Sequence, residues 1–297
     1  AATGTSIAGA TRGGGLPMTA PKVAGKVKPG GTWTSASTST SKQHDPHTAL
    51  AGNIFHVISE KGLEPHPVTN KILPHVFTSW EVADKEGLTL VFKMHPKLFI
   101  HNKAPWNGRQ FTAEDAAWNL ERIGGLYSQK LKIPLGSFQR ASMVQNITKA
   151  EAVDPLTVKV TLSKPNNAFF NGLTENRVPF APREMDDIGW NDPLKMASFG
   201  PFEVVEWVND QRTVYKKNPR YSEFRPNEPY FDTYQTIVVP DTAATQAAFI
   251  SGQTNSYATP TPDTIATVRK AKPDANLYTW VDQNWQHIRP SVTYEPF

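Results

Sequence analysis

The chain contains no cysteine, which excludes disulfides and thiolate metal sites. That absence says little about compartment, since an exported protein can simply avoid thiols. No apolar run approaches the ~20 residues that a membrane-spanning helix needs. An apolar secretory core is also missing at the start, so any signal was either removed before residue 1 or never existed. Acidic residues are missing from the first 28 positions, where Arg12, Lys22, Lys26 and Lys28 are the only charges. Those four account for the net +4, because the remainder carries 27 basic and 27 acidic residues. A neutral body offers no basic stripe to neutralise phosphates, so nucleic acid is not an expected partner.

Catalytic signatures are missing as well. There is no Gly-x-Ser-x-Gly and no His-Glu-x-x-His. The run Gly13-Gly14-Gly15 lacks the strand before and the helix after it that a phosphate-cradling loop requires. Of the eight histidines, His44 and His47 are close, but Asp45-Pro46 between them makes a turn, not a helix face. Turn and surface positions are therefore expected for the histidines, with no metal site. Glu114-Asp115 reads as a helix-capping pair and not as an acid–base pair. Neither a cofactor nor an enzymatic activity is expected.

What is present is an alternation of strands and short helices. With 297 residues and 38% apolar content, the chain has material for a core and for one large or two smaller domains. Residues 1–28 are small and glycine-rich, cannot offset their ordering entropy by burial, and read as a flexible leader. Thr32–Ser37 reads as a first strand, and Thr48–Glu60 as a helix with Leu50, Ile54, Val57 and Ile58 inward. Leu88, Leu90, Phe92 and Met94 alternate with Thr89, Val91 and Lys93, the period of a strand. The loop from Asn102 to Gly108 is expected to be wet. Thr112, with Asp115 three residues on, opens a helix that carries Ala113, Ala116, Ala117, Leu120 and Ile123 at helical spacing. Ile147–Val153 and Leu156–Leu162 flank Asp154-Pro155 as a hairpin, and Glu203–Val208 and Gln211–Lys216 flank Asn209-Asp210 as another. Thr233–Val239 is a strand. Asp241 caps a helix to Ser251, and Thr261-Pro262 opens one to Lys270. Asn276–Trp280 is a last strand. The alternation predicts a mixed α/β sheet.

Particular motifs add a resemblance. Pro74, Ser79, Trp80, Glu81, Gly87, Leu88, Thr89 and Phe92 are followed by His101, Gly108, Phe111, Thr112, Ala113, Glu114, Asp115, Glu121 and Arg122. Further motifs are Gly30-Gly31-Thr32, His44-Asp45-Pro46-His47, Pro165-Asn166, Val178–Glu184, Ser198-Phe199-Gly200-Pro201-Phe202 and Asn218-Pro219-Arg220-Tyr221. Together, over roughly residues 29–297, they resemble the first lobe of the family 5 solute-binding proteins, the peptide and nickel receptors of ABC importers. Departures are the longer loop Asn102–Asn107 and Met94-His95 in place of the usual Leu-Arg.

The resemblance implies a large lobe of the periplasmic-binding-protein type (class C): a mixed sheet plus a hairpin-and-helix subdomain, without the second lobe. Residues 29–50 and 170–297 would form the mixed-sheet part, and 51–169 an inserted part. It also implies that Val178–Glu184 forms a strand returning to the first sheet. The implied function is capture of a polar solute, peptide foremost, in a cleft between lobes, and delivery to a membrane permease. The protein would be a monomer outside the cytoplasm, periplasmic or anchored at the cell surface. Candidate ligand-binding residues are Ser37 and His44 on the turn beyond the first strand, where open α/β sheets bind ligands. Phe199, and Asn284, Trp285 and Gln286 ahead of the lobe crossover, are the others, since an aromatic plate flanked by amides suits a polar organic ligand. Loop packing is the alternative for Ser37, His44 and Phe199, and an edge-strand staple for Trp285. A single-lobe interaction protein and a hydrolase on the same scaffold remain the alternative functions.

Overall fold

The computed structural model describes residues 28–40, 42–48, 54–66, 69–258 and 261–277. The chain opens with strand β1 (Thr32–Ser37) and a short helix α1 (Phe55–Ile58). A small hairpin follows, β2 (Leu63–Pro65) with β3 (Ile72–Pro74), and then β4 (Phe77–Val82) and β5 (Thr89–Met94). Helix α2 (Ala113–Ile123) and the single turn α3 (Ser128–Leu131) lead to β6 (Ile147–Asp154) and β7 (Thr157–Leu162). Short helices α4 (Phe169–Gly172) and α5 (Met185–Ile188) precede β8 (Phe202–Val208) and β9 (Arg212–Lys217). The last described elements are α6 (Tyr221–Phe224), β10 (Thr233–Val238), α7 (Thr242–Ser251) and α8 (Pro262–Ala271).

Two four-stranded sheets carry the fold among the described residues. One is antiparallel in the order β4-β5-β7-β6; the other is mixed, β1-β10-β9-β8. In the antiparallel sheet the period-two pattern works as expected. Leu90, Phe92 and Met94 of β5 and Val158, Val160 and Leu162 of β7 all point inward and are buried. Helix α2 covers β6 and β7. Its start is a true capping box, with Asp115 reaching back to the Thr112 N–H at 3.0 Å. Ala113, Ala116, Ala117, Leu120 and Ile123 are its buried face; Leu120 and Ile123 each contribute about 1.5–3 kcal/mol by leaving water.

In the mixed sheet, β1 and β10 run parallel, from Thr32 beside Thr233 to Ser37 beside Val238. The hairpin β8–β9 then extends it through antiparallel β9–β10 pairing. Asp241 caps α7 by accepting the Ala244 N–H at 2.8 Å, and Gly252 ends it at φ +83°, a left-handed position suited to glycine. Asn255, just beyond, clips onto the outer edge of β1. Its N–H donates to the Thr34 carbonyl, and its Oδ1 accepts the Thr34 N–H, both at 2.7 Å.

One apolar core runs from sheet to sheet. Phe92 lies 4.6 Å from Phe77, Phe77 is 5.8 Å from Phe180, and Phe111 joins Phe180 (6.2 Å) to Phe199 (4.3 Å). Gly200 makes a close backbone approach. A Cβ there would stand 2.4 Å from the Ile58 carbonyl carbon, and the Gly200 N–H donates to the Ile58 carbonyl at 2.8 Å.

Five local expectations need correction. The helix expected over Thr48–Glu60 is seen only as Phe55–Ile58, and residues 49–53, with Leu50, lie outside the described ones. Ser59 is extended and its hydroxyl donates to the Phe180 carbonyl, while Gly200 takes the Ile58 carbonyl, so the helix cannot continue. The strand expected over Val178–Glu184 does not form. Pro179 and Pro182 lack donors, and the neighbouring backbone groups bond elsewhere. Ala181 bonds both ways with the Asn119 side chain, the Phe180 N–H goes to the Glu60 carbonyl, and the Pro179 carbonyl meets His47. The loop Asn102–Gly108 is not uniformly wet, since Trp106 is 3% exposed and belongs to the core. Finally, four histidines are buried: His44, His47, His75 and His101. The strand expected over Asn276–Trp280 shows no strand at Asn276 and Leu277; its remainder lies outside the described residues.

Candidate functional site

The parallel pair β1–β10 ends side by side, and the turn beyond β1 forms the candidate site. Ser37 closes β1, and its hydroxyl donates to the Ser39 carbonyl at 2.8 Å. Thr40 is buried and latched to the β8–β9 turn: its Oγ1 accepts the Asp210 N–H at 3.0 Å and lies 3.2 Å from Asn209 Oδ1. His44 is 5% exposed and meets Trp207 of β8 edge to face, ring centroids 5.9 Å apart. Burial pushes the His44 pKa down from its ordinary value, so the ring is neutral at neutral pH.

Below His44 the turn is fixed by a buried arginine. Arg122, at the end of α2, is 0% exposed. It donates in a fork to Asp45, Nη1 to Oδ1 at 2.9 Å and Nη2 to Oδ2 at 2.8 Å, and through Nε to Asp186 at 3.1 Å. The rings of Trp118 and Trp190 lie over the guanidinium, with centroids at 5.5 and 4.9 Å. Burial alone would raise the Asp45 pKa; the Arg122 hydrogen bonds and charge outweigh it and hold the carboxyl below its ordinary range. His47 completes the knot, with Nδ1 2.9 Å from Arg122 Nη1 and Nε2 3.2 Å from the Pro179 carbonyl. The neutral tautomer with the proton on Nε2 satisfies both bonds. Burial first, then the Arg122 charge, pushes the His47 pKa down to about 3.

A cavity of about 380 Å³ is lined by Gln43, Thr48, Ile133, Ser137 and Gln139. It joins the turn beyond β1 to the excursion between α2 and β6. Two buried polar atoms at the neighbouring sheet edge have no hydrogen-bond partner, His44 Nδ1 and Trp207 Nε1. An orphaned buried donor or acceptor costs about 1–3 kcal/mol, so each is a place where water or a ligand group is worth most.

Phe199 takes the packing alternative. It is 2% exposed against Phe111 and offers no ring face to a ligand. Thus Ser37 and His44 share one end of the mixed sheet, Phe199 belongs to the core, and Asn284, Trp285 and Gln286 lie outside the described residues. Glu114-Asp115 is used in capping and ion pairing, with Asp115 accepting two 2.7 Å bonds from Arg109. Among the described residues no three His, Asp or Glu side chains converge as a metal site, and no helix is long and apolar enough to cross a membrane.

Comparison with known proteins places this architecture. A family profile, "Bacterial extracellular solute-binding proteins, family 5 Middle", matches residues 71–297. The chain belongs to the family 5 extracellular solute-binding proteins. Among curated family 5 relatives, the glutathione-binding protein GsiB of Escherichia coli K12 is 27% identical over 220 residues, 74% of this chain and 40% of that protein. The periplasmic binding protein DppA of Helicobacter pylori, solved with the peptide STSA, superposes with a TM-score of 0.69 at 21% identity, over 82% of this chain and 49% of that one. The oligopeptide-binding protein AppA of Bacillus subtilis, solved with a nonapeptide, gives 0.68 at 20% identity, over 82% and 47%. These relatives are binding proteins and not enzymes. The chain spans about half the length of the solved structures it matches and 40% of GsiB.

Sequence reading missed Ser137, Gln139 and Trp207 as site residues. Gln43 and Thr48 flank the turn that it singled out, but Ser137 and Gln139 reach the cavity only through folding of the α2–β6 excursion. No local pattern marks them.

Proposed function

We propose that this chain is the ligand-bearing lobe of an ABC-importer receptor that captures a polar solute, peptide foremost, and delivers it to a membrane permease. The observation that carries the reading is the end of the β1–β10 pair. Beyond it, an uncharged cavity is lined by Gln43, Thr48, Ser137, Gln139 and Ile133, and His44, next to Gln43 in the chain, and its ring partner Trp207 carry orphaned polar atoms, Nδ1 and Nε1. Such groups pair with amides, and the relatives' names and titles carry peptides and glutathione, which are chains of amides. Ser37 and His44 belong to this surface, with Asn284, Trp285 and Gln286 as further ligand contacts. A second lobe closes over it, excludes water and strengthens each polar contact. The receptor works as a monomer outside the cytoplasm, in the periplasm or anchored at the cell surface.

Closure makes affinity depend on both lobes, so the 297-residue chain binds weakly. Calorimetry with short peptides is expected to give saturable binding weaker than ~10 µM, reduced further in a Gln43→Ala, Gln139→Ala double variant. Binding tighter than ~1 µM contradicts the two-lobe scheme. Saturable binding that the double variant leaves unchanged contradicts the placement of the surface.

A further inference from the structure

Beyond its first 28 residues the chain is neutral as a whole, but its charge is not evenly spread. Both walls of the cavity at the turn beyond β1 come from acid-free stretches. Gln43 belongs to the stretch Pro29 to His44, which has no aspartate or glutamate and whose one fixed charge is Lys42. The opposite wall, Ile133, Ser137 and Gln139, lies on the excursion between α2 and β6. From Ile123 to Ala150 the chain again has no acidic residue, and it carries Lys130, Lys132, Arg140 and Lys149.

Three of these cations are chain neighbours of lining residues. Lys42 precedes Gln43, Lys132 precedes Ile133 and Arg140 follows Gln139. Consecutive Cα atoms are about 3.8 Å apart, which keeps each charge within roughly 10 Å of a lining Cα. That is about one Debye length at ~0.1 M salt, so all three fields reach a ligand in the cavity. Lys42 and Lys132 are exposed, and among the described residues no carboxylate pairs with either. Arg140 Nη1 donates to the Gln139 carbonyl at 3.2 Å. Glu175 acts on Arg140, but it is itself ion-paired with Arg177 at 3.0 Å. Two carboxylates at the turn are engaged elsewhere. Asp45 is taken up by the Arg122 fork, and Asp210 meets Thr40 from the tip of the β8–β9 hairpin without lining the cavity. A ligand anion would therefore meet neutral hydrogen-bond donors inside a cationic field, with no carboxylate on the lining to repel it.

We propose that this cavity selects anionic solutes, with acidic peptides as the class it takes. The ligand carboxylate is held by the amide and hydroxyl donors of Gln43, Gln139, Thr48 and Ser137. Lys42, Lys132 and Arg140 attract it at long range and disfavour cationic peptides. The inference rests on the assignment of this cavity as the binding surface and adds the sign of charge that it accepts.

The test is an amide-NMR titration of the full chain with Ala-Glu-Ala, Ala-Gln-Ala and Ala-Lys-Ala, which share their termini and differ in one charge. At low ionic strength, shifts at Gln43 and Gln139 should show the glutamate peptide binding ~5-fold or more tighter than the glutamine peptide. The lysine peptide should bind ~5-fold or more weaker than the glutamine peptide. Raising the salt to ~0.5 M should shrink both gaps toward ~2-fold. The double variant Lys42→Glu, Lys132→Glu should invert the order while leaving the glutamine peptide unchanged, because both side chains are exposed. Equal affinity for the three peptides overturns the proposal, as does a lysine peptide that binds tightest or a preference that the double variant leaves intact. Those outcomes spare the binding surface itself. If none of the three gives saturable shifts at Gln43 and Gln139, the surface is misplaced and the proposal falls with it.

Discussion

The antiparallel sheet β4-β5-β7-β6 and the mixed sheet β1-β10-β9-β8 have the same number of strands but different cover. In the first, Phe92, Val158 and Val160 are fully buried, and α2 closes over β6 and β7. In the second, every residue of β10 is only partly buried, Trp33 of β1 is 39% exposed and Val205 of β8 is 48% exposed. The first sheet has no histidine in its strands; the second ends at a turn held by neutral, buried His44 and His47. The difference separates tasks. The central strands β5 and β7 under α2 are the sealed part of the fold, although Val82 of β4 and Val153 of β6 are exposed, whereas the mixed sheet ends in orphaned polar atoms, which is where the proposed binding would find unspent free energy.

Acid gives the largest contrast between the two. His47 and His101 are both pushed down to about 3, mainly by burial; His101 spans the Ser198 N–H and the Gly200 carbonyl. Once unfolded, each titrates near its ordinary value of 6.5. The unfolded chain therefore takes up protons that the fold refuses, and stability is lost as pH falls from about 6.5 toward 3. The loss is up to about 1.4 kcal/mol per pH unit for each ring. Hydrogen exchange at pH 5 should show the turn at His47 and the loop at Ser198–Gly200 opening before β5 and β7. Simultaneous opening would erase the distinction.

Arg122→Ala comes next, at about 3–5 kcal/mol by denaturant unfolding, because it strands Asp45 and Asp186 without their partner. A loss under ~1 kcal/mol would mean that the turn needs no such anchor. The last comparison sets the two sheets against each other directly, and its readout is a difference between two losses. Phe92→Ala should cost about 3–5 kcal/mol and Ile237→Ala, on β10, about 1 kcal/mol. Equal losses would show that both sheets are equally closed.

What the sequence displayed followed from how local each signal is. Thr112 with Asp115, Asp241 before α7 and Thr261-Pro262 before α8 are caps, whose partners lie within one turn, and all three helices start where those residues indicate. The hairpins β6–β7 and β8–β9 are equally local. The stretch Val178–Glu184 looked extended and is not a strand, because Asn119 and His47, distant in sequence, supply its hydrogen bonds. The histidines looked like turn and surface residues because nothing near His47 announces Arg122 as its neighbour. Phe199 sits beside Gly200-Pro201, a loop signal, yet its ring is enclosed by Phe111, which lies far away along the chain. At the candidate site, the placing of Ser37 and His44 at and beyond the end of a strand was readable. Ser137 and Gln139 were not, because only the tertiary fold brings the α2–β6 excursion to the turn.

Backbone-amide NMR of the chain during a peptide titration tests the central claim, that binding belongs to the open end of the mixed sheet. Progressive, saturable shifts are predicted at Ser37, Gln43, Thr48, Ser137, Gln139 and Trp207, with β5 and β7 unmoved. Shifts concentrated on the strands of the antiparallel sheet, with Ser37 and Gln43 silent, would contradict it.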